Sequence, residues 1–288
     1  MQYLIHTLGL KEFPSLLREI PEVPKTLNYR GRLPEQGMRL LAVVGSRAYS
    51  NYGKQVVQYL ISGLQGYNIG IVSGLALGID SLAHQSALQN NLYTLAIPGS
   101  GIAENVIYPY RHRPLARNIL DAGGGLLSEF DPHFTATKWS FTQRNRIMAG
   151  ISHATLVIEA TEKSGTLITA RMTTDYNREL LVVPGDIFSG NSAGPHQFLK
   201  LGATPVTHPH DILHALGINP ETKEPLQINT LDLTDIEKKV LKSLRSDSDT
   251  DSIIRETQLQ TQEINSILIQ LELQGLLISE NGTYKVVH

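Results

Sequence analysis

The 288-residue sequence contains no cysteine. This absence excludes disulfides, thiolate zinc sites and cysteine nucleophiles, and it is compatible with a reducing compartment. No apolar run reaches the roughly 20 residues that a membrane-spanning helix needs, and the first residues show neither a basic region nor a small-residue cleavage site. We therefore expect a soluble, cytoplasmic protein with no membrane partner.

An excess of either charge is also missing. The chain has 25 Lys+Arg against 27 Asp+Glu, which gives a net charge of −2 and a pI near 6.6. Any binding of nucleic acid must therefore depend on a local basic patch rather than on an overall field. The length and the 41% hydrophobic content suit one large α/β domain with a substantial core, plus a smaller domain.

The stretch Thr155–Glu159 is rich in Leu, Val and Ile, which predicts a central parallel strand buried on both faces. A short polar loop, Thr161–Thr166, and the helical spacing of Leu167–Asn177 follow it directly. In open α/β sheets, ligands bind at the loops beyond the carboxyl ends of the strands, and helix N-termini attract anions. We predict that this loop is an anion cradle, with Lys163 as a mobile positive charge. The alternative is that its Ser and Thr residues only cap the helix.

The same order of strand, small-residue turn and helix recurs along the chain. Leu40–Val44 is followed by Gly45-Ser46-Arg47 and the predicted helix Lys54–Gln65. Further predicted strands are Asn68–Ser73, Leu92–Ile97, Gly124–Ser128 and Leu180–Val183, with a helix at Asp80–Gln89. This alternation predicts an α/β fold with an extended Rossmann-like, doubly wound parallel sheet over residues 40–218. The proline-containing residues 1–39 are predicted to be an extension packed on that core.

Residues 132–151 have a different composition, with cations placed among aromatic residues. The residues concerned are Lys138, Arg144, Arg146, Phe134, Trp139 and Phe141. Such a pattern suits unpaired nucleic acid, because cations meet phosphates while rings stack on bases. The alternative is that the rings are core anchors and that Arg146 pairs with a carboxylate. The two arginines could also divide these tasks, one facing a ligand and one an internal carboxylate such as Glu159.

After a predicted linker at residues 219–231, residues 232–288 predict a small winged helix-turn-helix domain. Its predicted elements are helices at Asp235–Arg245, Thr250–Thr257 and Thr261–Gln274, and a hairpin at Leu276–Val287 turning at Asn281-Gly282. Residues 219–288 hold 7 of the 25 Lys+Arg and 12 of the 27 Asp+Glu, which leaves 18 and 15 for the first 218. Because phosphate contacts supply most non-specific affinity, we interpret this domain as a protein-interaction or packing unit. Repression of transcription through it is disfavoured for the same reason.

Several segments together resemble the blocks of the DNA-processing protein A (DprA/Smf) family. They are VGSRAYSNYG (Val44–Gly53), VSGLALGIDSLAH (Val72–His84), FTQRNRIMAGIS (Phe141–Ser152), EATEKSGTLITA (Glu159–Ala170), PGDI (Pro184–Ile187) and LGA (Leu201–Ala203). With the upstream segment Phe13–Pro34, the resemblance covers most of residues 13–216. Leu77 stands where the family usually has a basic residue, and Thr142 replaces its usual proline. The N-terminal helical domain of many members is expected to be missing.

The resemblance implies a homodimer that binds single-stranded DNA and loads a RecA-type recombinase on incoming DNA in natural transformation. It implies no catalysed reaction, and we predict neither a cofactor nor a metal. The DNA-binding residues predicted from the resemblance and from the pattern are Gly45, Ser46, Arg47, Ser50, Gly74, Lys138, Phe141, Arg144, Asn145, Lys163, Ser164, Gly165 and Thr166. In this interpretation Arg47 and Lys163 clamp phosphates, and Phe141 stacks on a base. The hydroxyls of Ser46, Ser164 and Thr166 donate hydrogen bonds.

The sequence also allows an enzyme of another class, resembling the phosphoribohydrolases that share this type of sheet. That hypothesis requires Glu129 or Glu159 as an acid or base, but the P-G-G-x-G-T-x-x-E block of those enzymes is absent. Ser73, Asp80 and His84 invite a hydrolase interpretation, although no G-x-S-x-G elbow is present. The His208, His210 and His214 spacing could bind a metal, and no P-loop supports ATP hydrolysis.

Overall fold

The computed structural model describes residues 3–222, 234–244, 248–257, 259–273, 277–280 and 283–286. The chain divides into two compact units, Met1–Lys223 and Glu224–His288, which are described separately below. No helix in the described ranges is long and apolar enough to cross a membrane.

The first unit is built on one sheet of nine strands. The strands are β1 (Ile5–Leu8), β2 (Leu27–Gly31), β3 (Arg39–Val44), β4 (Ile69–Ser73), β5 (Tyr93–Ala96), β6 (Gly125–Ser128), β7 (Ala154–Val157), β8 (Glu179–Val182) and β9 (Thr204–Pro205). Their order across the sheet is β1-β2-β6-β5-β4-β3-β7-β8-β9. From β6 to β9 all neighbours are parallel, whereas β1 and β2 are antiparallel additions at one edge.

Helices cover both faces of this sheet. They are α1 (Ser15–Arg18), α2 (Asn51–Ser62), α3 (Ile79–Gln89), α4 (Arg113–Asp121), α5 (Lys138–Ile151), α6 (Thr166–Asp175), α7 (Ala193–Lys200) and α8 (Pro209–Ala215). Short 3-10 helices lie at Leu10–Glu12, Glu104–Val106, Tyr110–His112, Gly190–Ser192 and Pro220–Thr222. The predicted doubly wound α/β fold is confirmed.

The central strand β3 shows why the sheet is buried on both faces. Leu41 and Val43 point into the core on one side, with residues of α2, α3 and α8. Leu40, Ala42 and Val44 point into the other core, with residues of α1, α5, α6 and α7. Because side chains alternate along a strand, an unbroken apolar run supplies both cores at once. This explains the apolar sequence of the parallel strands.

The segment before β3 contributes to the sheet itself. β2 pairs antiparallel with β6, from Asn28 opposite Ser128 to Gly31 opposite Gly125. Leu17 and Ile20, which follow the start of α1, are buried beside Gly150 of α5. The N-terminal residues therefore extend the sheet by two strands and also cover part of one core.

The second unit is a winged-helix domain, as predicted. Its elements are helices α9 (Asp235–Ser243), α10 (Thr250–Thr257) and α11 (Thr261–Leu273), and strands β10 (Ser248–Asp249), β11 (Leu277–Glu280) and β12 (Thr283–Val286). The three strands form an antiparallel sheet in the order β10-β12-β11. Apolar residues from all three helices and from β11 form its core. The predicted turn at Asn281-Gly282 and most of the predicted linker lie outside the described residues.

Candidate functional site

The order of the strands creates a switch point between β3 and β7. From β3 the chain continues through α2 to β4 on one side, and from β7 it continues through α6 to β8 on the other. In folds of this class the loops after two such strands lead away from each other, and ligands bind between them at the carboxyl edge of the sheet. The region between the loops after β3 and β7 is called the cleft below. Thr166 Oγ1 donates to the carbonyl oxygen of Gly45 over 3.0 Å and so joins the two loops.

The loop after β3 is held by short contacts to its neighbours. A Cβ on Gly45 would lie 2.6 Å from the side chain of Ile79, so only glycine allows this approach of α3. Ser46 is buried, and its Oγ accepts from the Ala48 N–H over 3.1 Å. Its carbonyl oxygen accepts from the Ile79 N–H, also over 3.1 Å. This fixed backbone carries Arg47, whose side chain is exposed.

An aromatic ring from α5 meets Arg47 at the rim of the cleft. The Arg47 guanidinium lies 5.5 Å from the ring centroid of Phe141, a cation–π contact. Gly99, in the loop after β5, packs against the same ring, since a Cβ there would lie 2.5 Å from it. Two predicted site residues that are far apart in sequence are therefore neighbours in the structure.

Arg144 lies beneath this rim and is only 5% exposed. It donates to the carbonyl oxygen of Ile97, and its Nη2 lies 3.6 Å from the Asp80 carboxylate. Asp80 also accepts from the Gly74 N–H over 3.1 Å. Burial raises the pKa of Asp80, while Arg144 and the N–H groups of Ala76 and Gly74 oppose that rise. Arg144 therefore has an internal carboxylate partner beneath the loop that contains Gly74.

Arg146 has a different partner. It donates to Glu129 and to the carbonyl oxygen of Glu22, and the Arg146 and Glu129 side chains are each 8% exposed. Burial raises the pKa of Glu129, and the nearby Arg146 charge opposes the rise. The interpretation of Arg146 as the partner of a carboxylate is thus correct, but Glu159 was the wrong example. Both arginines face internal carboxylates, so the expected division between them does not occur.

Glu159 instead organises the start of α2. Its carboxylate accepts from the N–H and the hydroxyl of Ser50, and Asn191 Nδ2 lies 3.5 Å away. Ser50 Oγ in turn accepts from the Gly53 N–H over 3.1 Å and caps the helix. Gly53 leaves the space that the carboxylate occupies, because a Cβ there would lie 2.5 Å from it. Ser50 therefore supports the loop from below.

The loop after β7 presents its polar groups at the other side of the cleft. Lys163 and Gly165 are exposed, and a Cβ on Gly165 would meet no atom within 4 Å. Ser164 Oγ accepts from the Thr166 N–H over 3.2 Å and lies 3.0 Å from Thr166 Oγ1. The N–H groups of Leu167 and Ile168 donate to carbonyl oxygens within the same loop. An anion would therefore meet Lys163 and the hydroxyls before these first N–H groups of α6.

The two remaining predicted residues both belong to α5. Lys138 is the first residue of the helix, one turn before Phe141, and it is exposed. Asn145 is buried, 8% exposed, next to Arg144. Lys138 therefore lies at the same end of α5 as Phe141, whereas Asn145 lies in the buried part of the helix.

An aromatic segment outside the predicted site residues also reaches this rim. The ring of Tyr108 lies 5.7 Å from that of Phe141. Tyr108 is 52% exposed and Tyr110 is 74% exposed, and the Arg113 guanidinium lies 4.5 Å from the Tyr110 ring centroid. The signal was present in the alternation of rings and cations in YPYRHR, residues 108–113.

The catalytic and metal alternatives find no matching geometry. Ser73 Oγ donates to the carbonyl oxygen of Val43, and His84 Nδ1 lies 2.7 Å from Thr94 Oγ1, so Ser73, Asp80 and His84 do not form a relay. Burial lowers the pKa of His84 to about 3. In the described part of the chain, no group of three or more His, Asp or Glu could hold a metal ion.

The fold and this cleft define a Rossmann-like α/β protein whose switch point carries exposed cations, hydroxyls and an aromatic ring. A family model described as DNA recombination-mediator protein A matches residues 5–217, and one described as the DprA winged helix domain matches residues 224–283. The chain belongs to the DNA recombination-mediator protein A (DprA/Smf) family, as the resemblance of its motifs indicated.

Relatives and solved structures agree with this assignment. Protein Smf of Escherichia coli (strain K12) is 36% identical over 280 residues, covering 94% of this chain and 74% of that protein. DNA processing protein DprA of Streptococcus pneumoniae is 39% identical over 201 residues, 70% of each chain. Its X-ray structure matches with a TM-score of 0.68 and 37% identity, covering 73% of this chain and 74% of that one. The structure of DprA from Helicobacter pylori, described as showing a single-stranded DNA binding mode, matches with a TM-score of 0.65 and 27% identity, covering 74% and 96%.

Proposed function

We propose that this chain binds single-stranded DNA in the cleft between the loops after β3 and β7 and acts without catalysis as a recombination mediator. In this role it forms a homodimer and loads a RecA-type recombinase on incoming DNA in natural transformation. The observation that carries the proposal is the convergence of distant segments at one rim. Arg47 contacts Phe141, and Thr166 is bonded to Gly45.

The exposed residues of the cleft have the chemistry that an unpaired strand requires. Arg47 and Lys163 supply phosphate-binding charges from opposite loops, and Lys138 adds a third at the start of α5. Phe141 is half-buried and offers the part of its ring that Arg47 and Tyr108 leave open for stacking on a base.

The small residues allow the backbone of the strand to approach. Gly165 carries no side chain, and a Cβ there would meet no atom within 4 Å, so the backbone of this loop is open to the strand. Ser46, Ser164 and Thr166 supply hydroxyls for hydrogen bonds to DNA. The Thr166 hydroxyl donates to Gly45 and the Ser164 hydroxyl to Thr166, so a DNA phosphate would replace these internal acceptors. The remaining predicted residues act from below. They support the loops and do not contact DNA, because they are buried or form internal contacts; these residues are Gly74, Arg144, Asn145 and Ser50.

Two further points support this proposal over the phosphoribohydrolase alternative. The carboxylates that such an enzyme would use are both occupied, Glu129 by Arg146 and Glu159 by Ser50. The H. pylori relative is described by its binding of single-stranded DNA. Incubation with nucleoside monophosphates tests the alternative directly, and release of free base would overturn the non-catalytic assignment.

The test of the DNA site compares two arginines at opposite ends of β3. Arg47→Ala removes a cation from the cleft, while Arg39→Ala removes an exposed cation from the first residue of the same strand, at the opposite edge of the sheet. Binding of oligo-dT is measured by fluorescence anisotropy over a range of salt concentrations. We expect Arg47→Ala to weaken binding and to reduce the slope of log K against log salt by about 0.7, the value for one phosphate contact on a single strand.

Lys163→Ala is expected to behave like Arg47→Ala, and Arg39→Ala like the parent. Equal affinities and slopes for Arg47→Ala, Lys163→Ala and the parent would refute the cleft as the DNA site. The recombinase step has its own test, a gel shift with oligo-dT and duplex of equal length, with and without a RecA-type recombinase. No increase in recombinase–DNA complex on adding the protein would refute the loading role.

A further inference from the structure

A cavity lies between α4 and the strands β2 and β6 of the sheet. Its volume is about 490 Å³, and its polar lining consists of Tyr3, Arg30, Glu104, Arg113, Arg117 and Asp121. None of the predicted DNA-binding residues lines it. The cavity is within the range of roughly 300–1,000 Å³ that is typical of sites for small ligands.

Two of the three arginines have no carboxylate partner. Arg30 donates from Nε to the carbonyl oxygen of Tyr3 over 3.1 Å and from Nη1 to that of Ile102 over 3.2 Å. Arg113 donates to the carbonyl oxygen of Asn105, and its Nε is buried without a hydrogen-bond partner. Within the described ranges, neither guanidinium forms an ion pair, whereas Arg117 pairs with Glu104.

The cavity is lined by three arginines and two carboxylates, so one positive charge is in excess. Glu104 pairs with Arg117, Asp121 accepts from the Tyr3 hydroxyl, and Arg113 lies over the Tyr110 ring. Arg30 and Arg113 are both half-buried, and neutral carbonyl oxygens satisfy their N–H groups without neutralising their charge. Charges that leave water are normally paired, because the Coulomb attraction offsets part of the cost of desolvation. Two unpaired guanidiniums that face one cavity therefore favour an anion between them, and the planar fork of arginine suits phosphate or carboxylate.

The rest of the lining is apolar. Ile107, Leu120 and Leu126 are each less than 5% exposed and belong to the core between α4, β5 and β6. Ala116 is the small residue among them and leaves room beside the helix. These side chains close the bottom of the cavity and expose little surface, so the apolar contact for the body of an organic anion is narrow and lies beside the arginines.

We propose that this cavity binds a small organic anion of mononucleotide size. Its anionic group lies at Arg30 and Arg113, and its body lies on the floor formed by Ile107, Leu120 and Leu126. Arg47 is not among the lining residues, so occupancy of the cavity is expected not to require Arg47.

Isothermal titration calorimetry of the full chain tests the proposal with dTMP, inorganic phosphate and the neutral nucleoside thymidine. We expect saturable binding of dTMP, weaker binding of phosphate and weaker binding of thymidine, because the anion and the body each contribute. Arg30→Gln and Arg113→Gln are each expected to weaken dTMP binding by about tenfold or more, the effect of losing one charged hydrogen bond. Arg47→Ala is the matched control, and its affinity for dTMP is expected to equal that of the parent.

Three outcomes would overturn the proposal. They are the absence of saturable dTMP binding at millimolar concentration, equal affinity for dTMP and either control ligand, and loss of dTMP binding in Arg47→Ala but not in Arg113→Gln. Because Arg30 bonds two carbonyl oxygens, thermal unfolding of each variant is measured first. Arg113→Lys, which keeps the charge, is expected to bind dTMP more tightly than Arg113→Gln. Equal binding by these two variants would also count against the site.

Discussion

Substitution of Gly74 by alanine tests whether the buried arginine under the cleft is fixed in place. A Cβ on Gly74 would lie 1.5 Å from Nη1 of Arg144 and 2.0 Å from its Cζ, so the guanidinium has to move. Arg144 is 5% exposed and is held by the carbonyl oxygen of Ile97 and by Asp80. The added methyl group therefore displaces a buried charge from its partners.

The decrease in the free energy of unfolding follows from the contacts that Arg144 loses. A hydrogen bond from a charged donor contributes about 1.5–3 kcal/mol. Breaking a buried ion pair so that one charge remains uncompensated costs about 3–5 kcal/mol. Because Asp80 stays buried and keeps only its backbone donors, including the Gly74 N–H, we expect Gly74→Ala to lower the free energy of unfolding by about 3–5 kcal/mol. This is a large part of the roughly 5–15 kcal/mol typical of a domain.

Urea denaturation followed by circular dichroism measures this change. Gly165→Ala is the matched control, because a Cβ there meets no atom within 4 Å and the backbone is already right-handed, with φ −61°. We expect that control to stay within about 1 kcal/mol of the parent. If Gly74→Ala is as stable as Gly165→Ala, the guanidinium has room to relax and the reasoning about its fixed position is wrong.

Three further predictions concern His84, Gly78 and Glu159. Burial lowers the pKa of His84 to about 3, below its ordinary value of 6.5, so between these pH values the unfolded chain binds a proton at His84 that the folded chain does not. The free energy of unfolding is therefore highest above pH 6.5 and decreases as pH falls toward 3. Between pH 7.5 and 5 the parent should therefore lose about 2 kcal/mol more than His84→Gln in urea titrations, and parallel losses would contradict this. Gly78→Ala places a Cβ 2.3 Å from the Ser46 carbonyl oxygen at φ +87°, so we expect a melting temperature well below that of Gly165→Ala, and equality would refute the strain. Glu159→Gln loses a charged acceptor for Ser50; chemical denaturation should show about 1.5–3 kcal/mol less stability, and an unchanged midpoint would show that the contact is dispensable.

Most regular elements of the first unit were predictable from local pattern. β4 was predicted from Asn68 to Ser73 and lies at Ile69–Ser73, and α3 was predicted from Asp80 to Gln89 and lies at Ile79–Gln89. A strand that is buried on both faces has a continuous apolar run, and a helix that is buried on one face has apolar residues at helical spacing. The strands β1 and β2 were not predicted, because two short edge strands in a proline-containing segment carry no such run. Their place in the sheet depends on the pairing of β2 with β6.

The contacts between side chains were less predictable from the sequence than the helices and strands. The family resemblance placed Arg47 and Phe141 in one predicted site, and they are neighbours in the structure. The cation–aromatic pattern of residues 132–151 did not reveal that Arg144 and Arg146 face Asp80 and Glu129. Whether an arginine faces solvent or a carboxylate depends on which residues the fold places within a few ångströms. Asp80 precedes Arg144 by 64 positions, and nothing in the local sequence marks them as a pair.

The sequence by itself determined the class of fold, the existence of the small C-terminal domain and the turns that gather at one edge of the sheet. These features depend on local apolar periodicity and on turn residues, and both are encoded within a few positions. Tertiary structure decided which charges remain exposed. Arg47 and Lys163 project from loops at the open switch point, whereas Arg144 and Arg146 are drawn into the core by α5. A guanidinium that leaves water requires a partner, and only the folded chain brings that partner within reach.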